Sequence, residues 1–417
     1  MSHSTSESKA GSLSGFPEED LRQEGQNNPG YFPARLGQPL EDGRFCIVRK
    51  LGWGQYSSVW LAKDNREDRF VALKILTCES TKAIKASDPE KRSDEVKMLQ
   101  KIASSKPTHR GFEHSLALFN FFEFHGPCGD HICLVTEVLA CSVDDIRKQG
   151  DSGDRRLSMD LTKRITKQIL HALDYLHNHC DIIHGDIKHD NILCRPVDLS
   201  AVVAQELVAW PSVTYDCGTE IVPSITPVMT QSLPITTEPP LRADQVKVVL
   251  ADVGHSHWRQ HHFQEIIQPG ALRAPEVILG YPWDTSVDIW NLGCLITELL
   301  IGFWLFEYHA NGDKWNADED HLARMTEALG FDFDPAFISK CEHGNKFFKA
   351  DGSFAHFTAH EEPTWPLEKL LKTFASVDTK EGDVEAAERF SRRCLQLVPE
   401  KRASAQELIE DPWLADV

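Results

Sequence analysis

Apolar and polar residues alternate over several short stretches in the first third of the chain. Apolar side chains recur at every second position in 45–47, 59–61 and 71–75, and turn-forming residues separate these stretches. Such alternation is typical of β-strands that bury one face. We predict strands here and at 131–137, and a helix around 93–103.

Helical spacing replaces this alternation further along. Apolar residues lie four positions apart from 161 to 173, which places them on one face of a helix, and Leu292–Phe306 is apolar enough for a buried core helix. The pattern predicts an α+β fold, with a small β-rich lobe at 29–138 and a larger α-helical lobe at 139–417.

Two segments do not follow either pattern. Residues 1–28 are rich in Ser, Gly, Glu and Gln and have few apolar positions, so a disordered tail is expected. Residues 196–244 contain seven prolines and one cation, Arg242. We expect a Pro/Thr-rich insert that cannot sustain a helix, either a loop or a partly ordered strap. Its apolar residues indicate that part of it packs on the domain.

The charge of the chain restricts the possible partners. Asp and Glu number 63 against 44 Lys and Arg, which gives a formal net charge of −19. A chain this acidic is a poor candidate for a protein that binds the nucleic-acid backbone, which needs clustered cations, and the charge favours a basic partner.

Cysteine and histidine usage indicates neither disulfides nor a metal site. The 11 cysteines form no CxxC pair, so reduced thiols in an intracellular protein are expected. His255, His257, His261 and His262 have no cysteine or carboxylate partners at ligand spacing, so exposed loop histidines are expected. The polar N-terminus is not a signal peptide, and no apolar stretch is long enough to span a bilayer.

A glycine turn and a lysine strand could together bind a nucleotide. Gly52 and Gly54 lie between two predicted strands, where backbone N–H groups could approach phosphates. Ala72 and Lys74 share one face of the next strand, so that a base and phosphates could meet the same surface. Glu95, on the predicted helix, could pair with Lys74. A plain β-turn, an exposed strand lysine and a solvated helix glutamate are the ordinary alternatives.

The segment His184–Asn191 carries the strongest chemical signal. Phosphoryl transfer needs a carboxylate to orient the attacking hydroxyl, a cation for the phosphoryl group and an oxygen ligand for Mg²⁺. Asp186, Lys188 and Asn191 supply these three groups in the order of a kinase catalytic loop. After the insert, a predicted strand leads to Asp252, the first residue of an Asp-x-Gly turn.

These motifs together resemble the eukaryotic protein kinases over about residues 30–417. The resemblance is closer to the SR-protein kinase family, which phosphorylates serines in Arg/Ser-rich splicing factors. The segments that carry this likeness are GYFPARLG (30–37), RKLGWGQYSSVWLA (49–62), Cys133–Leu139, HGDIKHDNIL (184–193), ADVGHSHW (251–258), Asp318–Ala323 and CLQLVPEKRASAQELIEDPWL (394–414).

The resemblance implies a two-lobed kinase fold that uses ATP and Mg²⁺. Lys74 would bind the α- and β-phosphates, and Glu95 would brace it. The other expected nucleotide contacts are Leu51, Gly52, Gly54, Val59, Ala72, Glu137, Leu139 and Asp252.

The resemblance also assigns the groups that act in catalysis. Asp186 would be the catalytic base, Lys188 would steady the γ-phosphate, and Asn191 and Asp252 would hold Mg²⁺. Glu276 and Arg402 would form a structural ion pair.

An acidic groove would bind the Arg-rich substrate. Asp320 and Glu327 fall on two of its acidic positions, and Phe303 replaces a third acid. Gly185 replaces a small hydroxyl residue, and Pro269–Leu272 replaces a stretch that contains Thr and Arg. These replacements bear on substrate preference.

We therefore expect a serine/threonine kinase that transfers the γ-phosphate of ATP to serines in Arg/Ser-rich basic proteins such as splicing factors. A catalytically weak kinase-fold scaffold that binds basic partners is one alternative, and a kinase with a non-Arg/Ser substrate is another. We also expect a monomer in the cytoplasm and nucleus, without direct contact to nucleic acid or membrane.

Between Asp252 and Glu276 the chain has no Thr or Tyr, which predicts activity without phosphorylation of this segment.

Overall fold

The computed structural model describes most of the chain and divides it into two compact units. The described residues are 17–21, 28–88, 92–149, 153–215, 225–238, 241–310, 315–356, 364–375, 380 and 382–417. The first unit comprises Met1–Ala86, Leu118–Val138 and Asp198–Leu233, and the second comprises Ser87–Ala117, Leu139–Val197 and Pro234–Val417. The lobe ranges expected from the sequence, 29–138 and 139–417, stay a prediction.

The secondary structure is a mixture of antiparallel strands and helices. The strands are β1 Pro39–Leu40, β2 Phe45–Gly54, β3 Ser57–Asp64, β4 Arg69–Leu76, β5 Leu118–Gly126, β6 Gly129–Thr136, β7 Ile182–Ile183, β8 Ile192–Cys194, β9 Val248–Leu250 and β10 His257–Trp258. The helices in the described residues are α1 Cys78–Lys85, α2 Glu95–Ser104, α3 Val143–Lys148, α4 Met159–Tyr175, α5 Leu199–Ala209, α6 Pro275–Leu279, α7 Ser286–Ile301, α8 Ala317–Leu329, α9 Pro335–Ile338, α10 Gly344–Phe347, α11 Leu367–Phe374, α12 Asp383–Cys394 and α13 Ala405–Ile409. The predicted α+β class is confirmed.

The first unit is built on a six-stranded antiparallel sheet with the order β1-β2-β3-β4-β6-β5. The strands predicted at 45–47, 59–61, 71–75 and 131–137 are β2, β3, β4 and β6. The first residues of β2 alternate between buried and half-buried, whereas β3, β4 and β6 lie inside the sheet and bury most of their residues. The buried side chains form one cluster, which includes Phe45, Ile47, Trp60, Leu73 and Val135. Strand β5, an edge strand, was not predicted.

A segment near the N-terminus packs against β2. Lys50 is buried, and its Nζ donates to Glu18 Oε2 at 2.7 Å and to Glu19. Burial raises the pKa of Glu19, although the Lys50 ammonium opposes this effect. Glu18 also accepts hydrogen bonds from the backbone N and the Oγ1 of Thr230, at 2.7 and 2.8 Å. Within the tail 1–28 that we expected to be disordered, the structure describes 17–21 and Asn28. The other tail residues lie outside the described part of the chain.

The insert also contributes structure to the first unit. Helix α5 lies within the segment that we expected to be unable to form a helix, and that prediction is wrong. The prolines of the insert lie at 196 and from 211 onward, so 197–210 is free of them and can form a helix that Asp198 caps through the backbone N of Ala201. Arg49 on β2 is fully buried and donates to Glu206 Oε2 at 3.3 Å and to the carbonyl of Trp210.

The second unit is mostly helical, and α7 lies in its interior. Every residue from Val287 to Ile301 is buried, which confirms the predicted core helix for 292–301. The helix ends at Ile301, where Gly302 adopts a left-handed backbone, so the predicted continuation to Phe306 is wrong. Two short ladders accompany the helices, with β7 paired to β10 and β8 paired to β9. Both ladders flank the segment 184–191. None of the helices in the described residues is long and apolar enough to cross a membrane.

Candidate active site

The glycine turn of the first unit is the end of the hairpin β2–β3, and Gly52 and Gly54, expected between two strands, are part of β2 itself. Gly52 pairs with Val59 and Gly54 with Ser57, and a side chain at either glycine would meet open space. The backbone here is therefore accessible to a phosphate-bearing ligand. Tyr31 fixes the turn, since its hydroxyl donates to the carbonyls of Gly54 and Gln55 at 2.7 and 3.1 Å. Burial, together with the nearby Glu19 and Asp20, raises the pKa of Tyr31 to about 12.

The strand that carries Ala72 and Lys74 lies in the middle of the sheet. Ala72 pairs with Thr136 of β6, and Lys74 pairs with Leu134, so both side chains project from one face of β4. Thr136 donates its hydroxyl to the carbonyl of Glu137 at 3.2 Å. Lys74 belongs to the first unit and Glu95 to the second, and the pairing of the two stays a prediction.

The catalytic-loop residues of the second unit converge on Asp186. Lys188 Nζ donates to Asp186 Oδ2 at 2.7 Å, and Asn191 Nδ2 donates to the same oxygen at 2.9 Å and to the Asp186 carbonyl at 2.8 Å. The carboxylate is thereby fixed between a cation and an amide, in the arrangement that phosphoryl transfer to a hydroxyl requires. The sequence predicted this group of three residues.

Asp252 joins the same site through the backbone. The N–H of Ala251 donates to the carbonyl of Asn191 at 2.9 Å, so Asp252 follows directly on the strand beside Asn191. Asp252 has a left-handed backbone with φ of 62° and accepts a hydrogen bond from Gly254 N. A side chain at Gly254 would lie within 4 Å of both the Asp252 and the Glu95 carboxylates, so these two predicted residues flank the same turn.

The residues around Asn191 fit a magnesium ion. Both donor hydrogens of the Asn191 amide point to Asp186, which leaves its oxygen as a ligand. Mg²⁺ prefers oxygen ligands and takes few of them from protein, together with substrate phosphates. Asn191 and Asp252 would hold the ion, and the bound ion would neutralise charge on the phosphates.

One buried carboxylate, Asp288 of α7, orients the catalytic loop. It accepts hydrogen bonds from the backbone N of His184 and of Gly185, both at 2.8 Å, and from His177 Nε2 at 2.8 Å. Burial alone would raise the pKa of Asp288, but the hydrogen bonds from His177 and Gly185 lower it. Sequence reasoning missed Asp288, since it lies about a hundred residues from the loop that it supports.

His184 links the loop to the strand before Asp252. Its Nδ1 accepts from Asp186 N at 3.3 Å, so the proton is on Nε2, which donates to the Ala251 carbonyl at 3.0 Å. Gly185 has a φ of 73°, and a side chain there would press on the carbonyl of His255. The left-handed backbone and this close carbonyl therefore favour glycine at this position.

The segment after Asp252 is packed in part, since His257 and His262 are covered while His255 and His261 are exposed as expected. His257 is buried and its Nδ1 accepts from Phe263 N at 3.0 Å, and His262 stacks on Trp283 with ring centroids 3.6 Å apart. The expectation of exposed loop histidines is therefore wrong for these two, because aromatic partners distant in sequence cover them. No group of three or more His, Cys, Asp or Glu in the described part of the chain is placed to hold a metal ion.

Gln268 and Arg273, the residues that flank Pro269–Leu272, anchor this stretch through hydrogen bonds. Gln268 donates to the Val287 carbonyl and to Asn291 Oδ1, each at 2.9 Å. Arg273 donates to the carbonyls of Ile267 and Gln268, each at 3.1 Å. Glu276 and Arg402 form the expected ion pair, with Nη2 to Oε2 at 2.6 Å, and neither side chain is exposed.

Asp320, the first predicted docking acid, already has a cationic partner. Its Oδ2 accepts from Arg324 Nε at 3.1 Å and from His309 N at 2.8 Å, and only 2% of the residue is exposed. Glu327 is half-buried on the same helix, α8. Phe303 is 41% exposed and packs edge-on against Phe374. Sequence reasoning missed Arg324, although its spacing of four residues from Asp320 is typical of helix ion pairs.

Comparison with known proteins agrees with this geometry. The chain matches the protein kinase domain family over residues 45–203 and 240–414. It is 35% identical to the serine/threonine-protein kinase SRPK of Physarum polycephalum, with 96% of this chain and 93% of the relative covered.

Two further relatives are more distant. Protein kinase dsk1 of Schizosaccharomyces pombe is 28% identical, with 93% of this chain and 84% of the relative covered. SRSF protein kinase 3 of Homo sapiens is 27% identical, with 92% and 88% covered. The chain belongs to the protein kinase family and, within it, to the SR-protein kinases, which are ATP-dependent serine/threonine kinases.

Proposed function

We propose that this kinase transfers the γ-phosphate of ATP to serines in Arg/Ser-rich basic proteins such as splicing factors. The observation that carries the proposal is the fixed group formed by Asp186, Lys188 and Asn191, in a chain with a net charge of −19. The name of the human relative, SRSF protein kinase 3, supports the same substrate class. We further propose a monomer that acts in the cytoplasm and nucleus.

The residues have separate tasks in the proposed reaction. Asp186 accepts the hydrogen bond of the substrate hydroxyl and orients its oxygen towards the phosphoryl group. Lys188 neutralises charge on that group as it moves, while Asn191 and Asp252 hold Mg²⁺. Lys74 binds the α- and β-phosphates, and the glycine turn covers them. Leu51, Val59, Ala72, Glu137 and Leu139 contact the base and ribose.

Asp320 and Glu327 are the proposed docking acids for substrate arginines. Since Arg324 already occupies Asp320, a substrate guanidinium has to replace an internal cation there. This competition lowers the affinity that the same acid would have in an open groove.

A radiolabelled ATP assay tests the substrate. The purified protein is given an Arg/Ser-repeat peptide, a matched Lys/Ser-repeat peptide and a Ser-Pro peptide. We expect the Arg/Ser peptide to be phosphorylated with the highest kcat/KM, because guanidinium groups pair with carboxylates in a bidentate manner. A higher kcat/KM for the Ser-Pro peptide would favour a non-Arg/Ser substrate.

Asp186→Ala separates the enzyme from the scaffold alternative. The variant should lose at least about 10²-fold in kcat, as should Lys74→Met and Asp252→Ala, because each removes a group that acts on the transition state. Peptide binding should persist. Phosphorylation near the wild-type rate in Asp186→Ala would contradict the catalytic assignment.

A further inference from the structure

Two cysteines of the second unit lie on neighbouring hydrogen-bonded segments, Cys194 at the end of β8 and Cys141 in the segment beside it. Strand β8 pairs with β9 along one edge, and the segment 140–142 pairs with its other edge. Ala140 N donates to the Cys194 carbonyl at 2.7 Å, and Cys194 N donates to the Cys141 carbonyl at 3.0 Å. Cross-strand neighbours of this kind have Cα atoms about 4.5–5.5 Å apart, which is within the range that a disulfide spans.

The two side chains point towards each other. Their thiols are hydrogen-bonded, and this bond lowers the pKa of Cys141 and raises that of Cys194. Cys141 therefore has the greater thiolate character and Cys194 is the S–H donor. Of the described cysteines, Cys141 is the one whose pKa is lowered, while burial or neighbours raise those of the other shifted thiols.

Access divides the two roles further. Cys141 is 6% exposed to solvent and Cys194 is fully buried, so a molecule the size of water reaches Cys141 first. The thiolate is the nucleophilic form of cysteine, and a second cysteine in contact with it can resolve the oxidised sulfur.

We propose that Cys141 and Cys194 are a modification site, a dithiol that a hydroperoxide converts to a disulfide. The Cys141 thiolate attacks one peroxide oxygen and breaks the O–O bond, which gives a sulfenic acid and hydroxide. Cys194 sulfur then attacks the Cys141 sulfur, and the hydroxyl leaves with the Cys194 proton as water. Two thiols are oxidised by two electrons, and one hydrogen peroxide is reduced to two waters.

The bridge would act on the residues beside it. Leu139 and Leu193 pack together with Val249 and Ala251 in one cluster, and each leucine is at most two residues from one of the cysteines. A disulfide brings the sulfurs to about 2.0 Å, closer than hydrogen-bonded thiols, so the two cysteine side chains and the residues packed beside them have to readjust. Leu139 is a proposed nucleotide contact, and to that extent the effect on ATP rests on the proposed site.

The first experiment detects the bond itself. The full-length protein is treated with hydrogen peroxide and its intact mass is measured. The remaining thiols are then alkylated, and the protein is analysed by non-reducing peptide mapping. We expect a loss of about 2 Da and a peptide pair joined through Cys141 and Cys194, reversed by dithiothreitol. Cys128→Ser, a matched control that removes a thiol near Cys78, should form the same bridge. Cys141→Ser and Cys194→Ser should not.

The second experiment measures the consequence without a protein substrate. A fluorescent ATP analogue is titrated into reduced and oxidised protein, and we expect its dissociation constant to rise about fivefold or more on oxidation. Equal affinities of the two forms would overturn the link to the nucleotide. A bridge mapped to other cysteines, or an unchanged mass after peroxide, would overturn the site, and neither result depends on the Arg/Ser assignment or on a variant that folds.

Discussion

At the scale of single residues, Asp288 controls the catalytic loop without touching a reacting atom. Its two oxygens accept three hydrogen bonds, two of them from adjacent backbone N–H groups of the loop. In Asp288→Asn one oxygen becomes an NH₂ group that faces a buried N–H donor. We expect a loss of about 1–3 kcal/mol in unfolding free energy, the usual cost of an unsatisfied buried group, together with a lower kcat.

Urea denaturation and steady-state kinetics measure these two effects. Asp160→Asn is a suitable control, since Asp160 is exposed on α4 and pairs with Arg164 at the surface. It should change stability by less than about 0.5 kcal/mol. Wild-type kcat in Asp288→Asn would show that the loop keeps its geometry without this carboxylate.

Arg324 is a second residue whose removal has a defined direction. In Arg324→Ala the Asp320 carboxylate loses its internal cation and becomes available to a guanidinium from outside. We expect the affinity for an Arg/Ser peptide to rise about two- to fivefold, and to fall as salt is added. Fluorescence anisotropy with a labelled Arg/Ser peptide measures this affinity. A lower affinity in Arg324→Ala than in the wild type would exclude Asp320 from docking.

At the scale of elements, β2 is held by two segments that are distant in sequence. Lys50 forms ion pairs with both Glu18 and Glu19, and Arg49 binds α5. Lys50→Met leaves two carboxylates buried without a cation, which we expect to cost about 3–5 kcal/mol. The triple variant Lys50→Met, Glu18→Gln, Glu19→Gln should recover part of that loss. Urea denaturation of the variants measures these unfolding free energies. If the triple variant recovers none of the loss, the unpaired charges are not its cause.

The segment from Asp252 to Glu276 should not need phosphorylation. Its hydroxyl residue is Ser256, which is buried and donates its Oγ to the His184 carbonyl at 3.0 Å. A kinase cannot reach this hydroxyl in the folded protein, and the residue beside Asp186 is Gly185 rather than a cation that could bind a phosphate. Bacterially expressed protein should keep its activity after phosphatase treatment, and a large loss would reveal a phosphate switch.

Local patterns predicted the elements whose own sequence determines them. Alternation indicated β2, β3 and β4, and β6 was predicted at 131–137, but β5 was missed because Phe119 and Phe121 on its exposed face are apolar too. The number of prolines in the insert wrongly predicted that it has no helix, because all of these prolines lie outside α5. The catalytic residues lie within a short motif and were predictable, whereas Asp288, Gln268 and Tyr31 act on groups far along the chain, and no local pattern marks them.

At the scale of the whole molecule, acid should destabilise the fold. Burial lowers the pKa of His257 to about 4 and that of His321 to about 3, both well below their usual range. The unfolded chain binds protons at these histidines near pH 6.5, while the folded chain does not, so unfolding free energy falls as pH falls from about 6.5 towards 4. At pH 5 each of these histidines should lower the unfolding free energy by about 2 kcal/mol relative to neutral pH.

Urea denaturation at a series of pH values measures this loss. His257→Phe, which fills the site with a ring that does not titrate, should flatten the curve between pH 6.5 and 5. The same slope in wild type and variant would assign the acid sensitivity to other groups. His125→Phe is a matched control, because His125 is exposed.

The division of the first unit into three chain segments affects the order in which the protein can be completed during synthesis. Lys50 and Arg49 leave the ribosome about 150–180 residues before Thr230 and Glu206, their partners in the insert. At 5–20 residues per second this interval is roughly 10–40 s. During it Arg49 lacks its carboxylate partner, whereas Lys50 already has Glu18 and Glu19, and the nascent sheet presents the surface that α5 later covers. A chaperone that binds nascent chains would meet this kinase in that interval, before the insert has emerged.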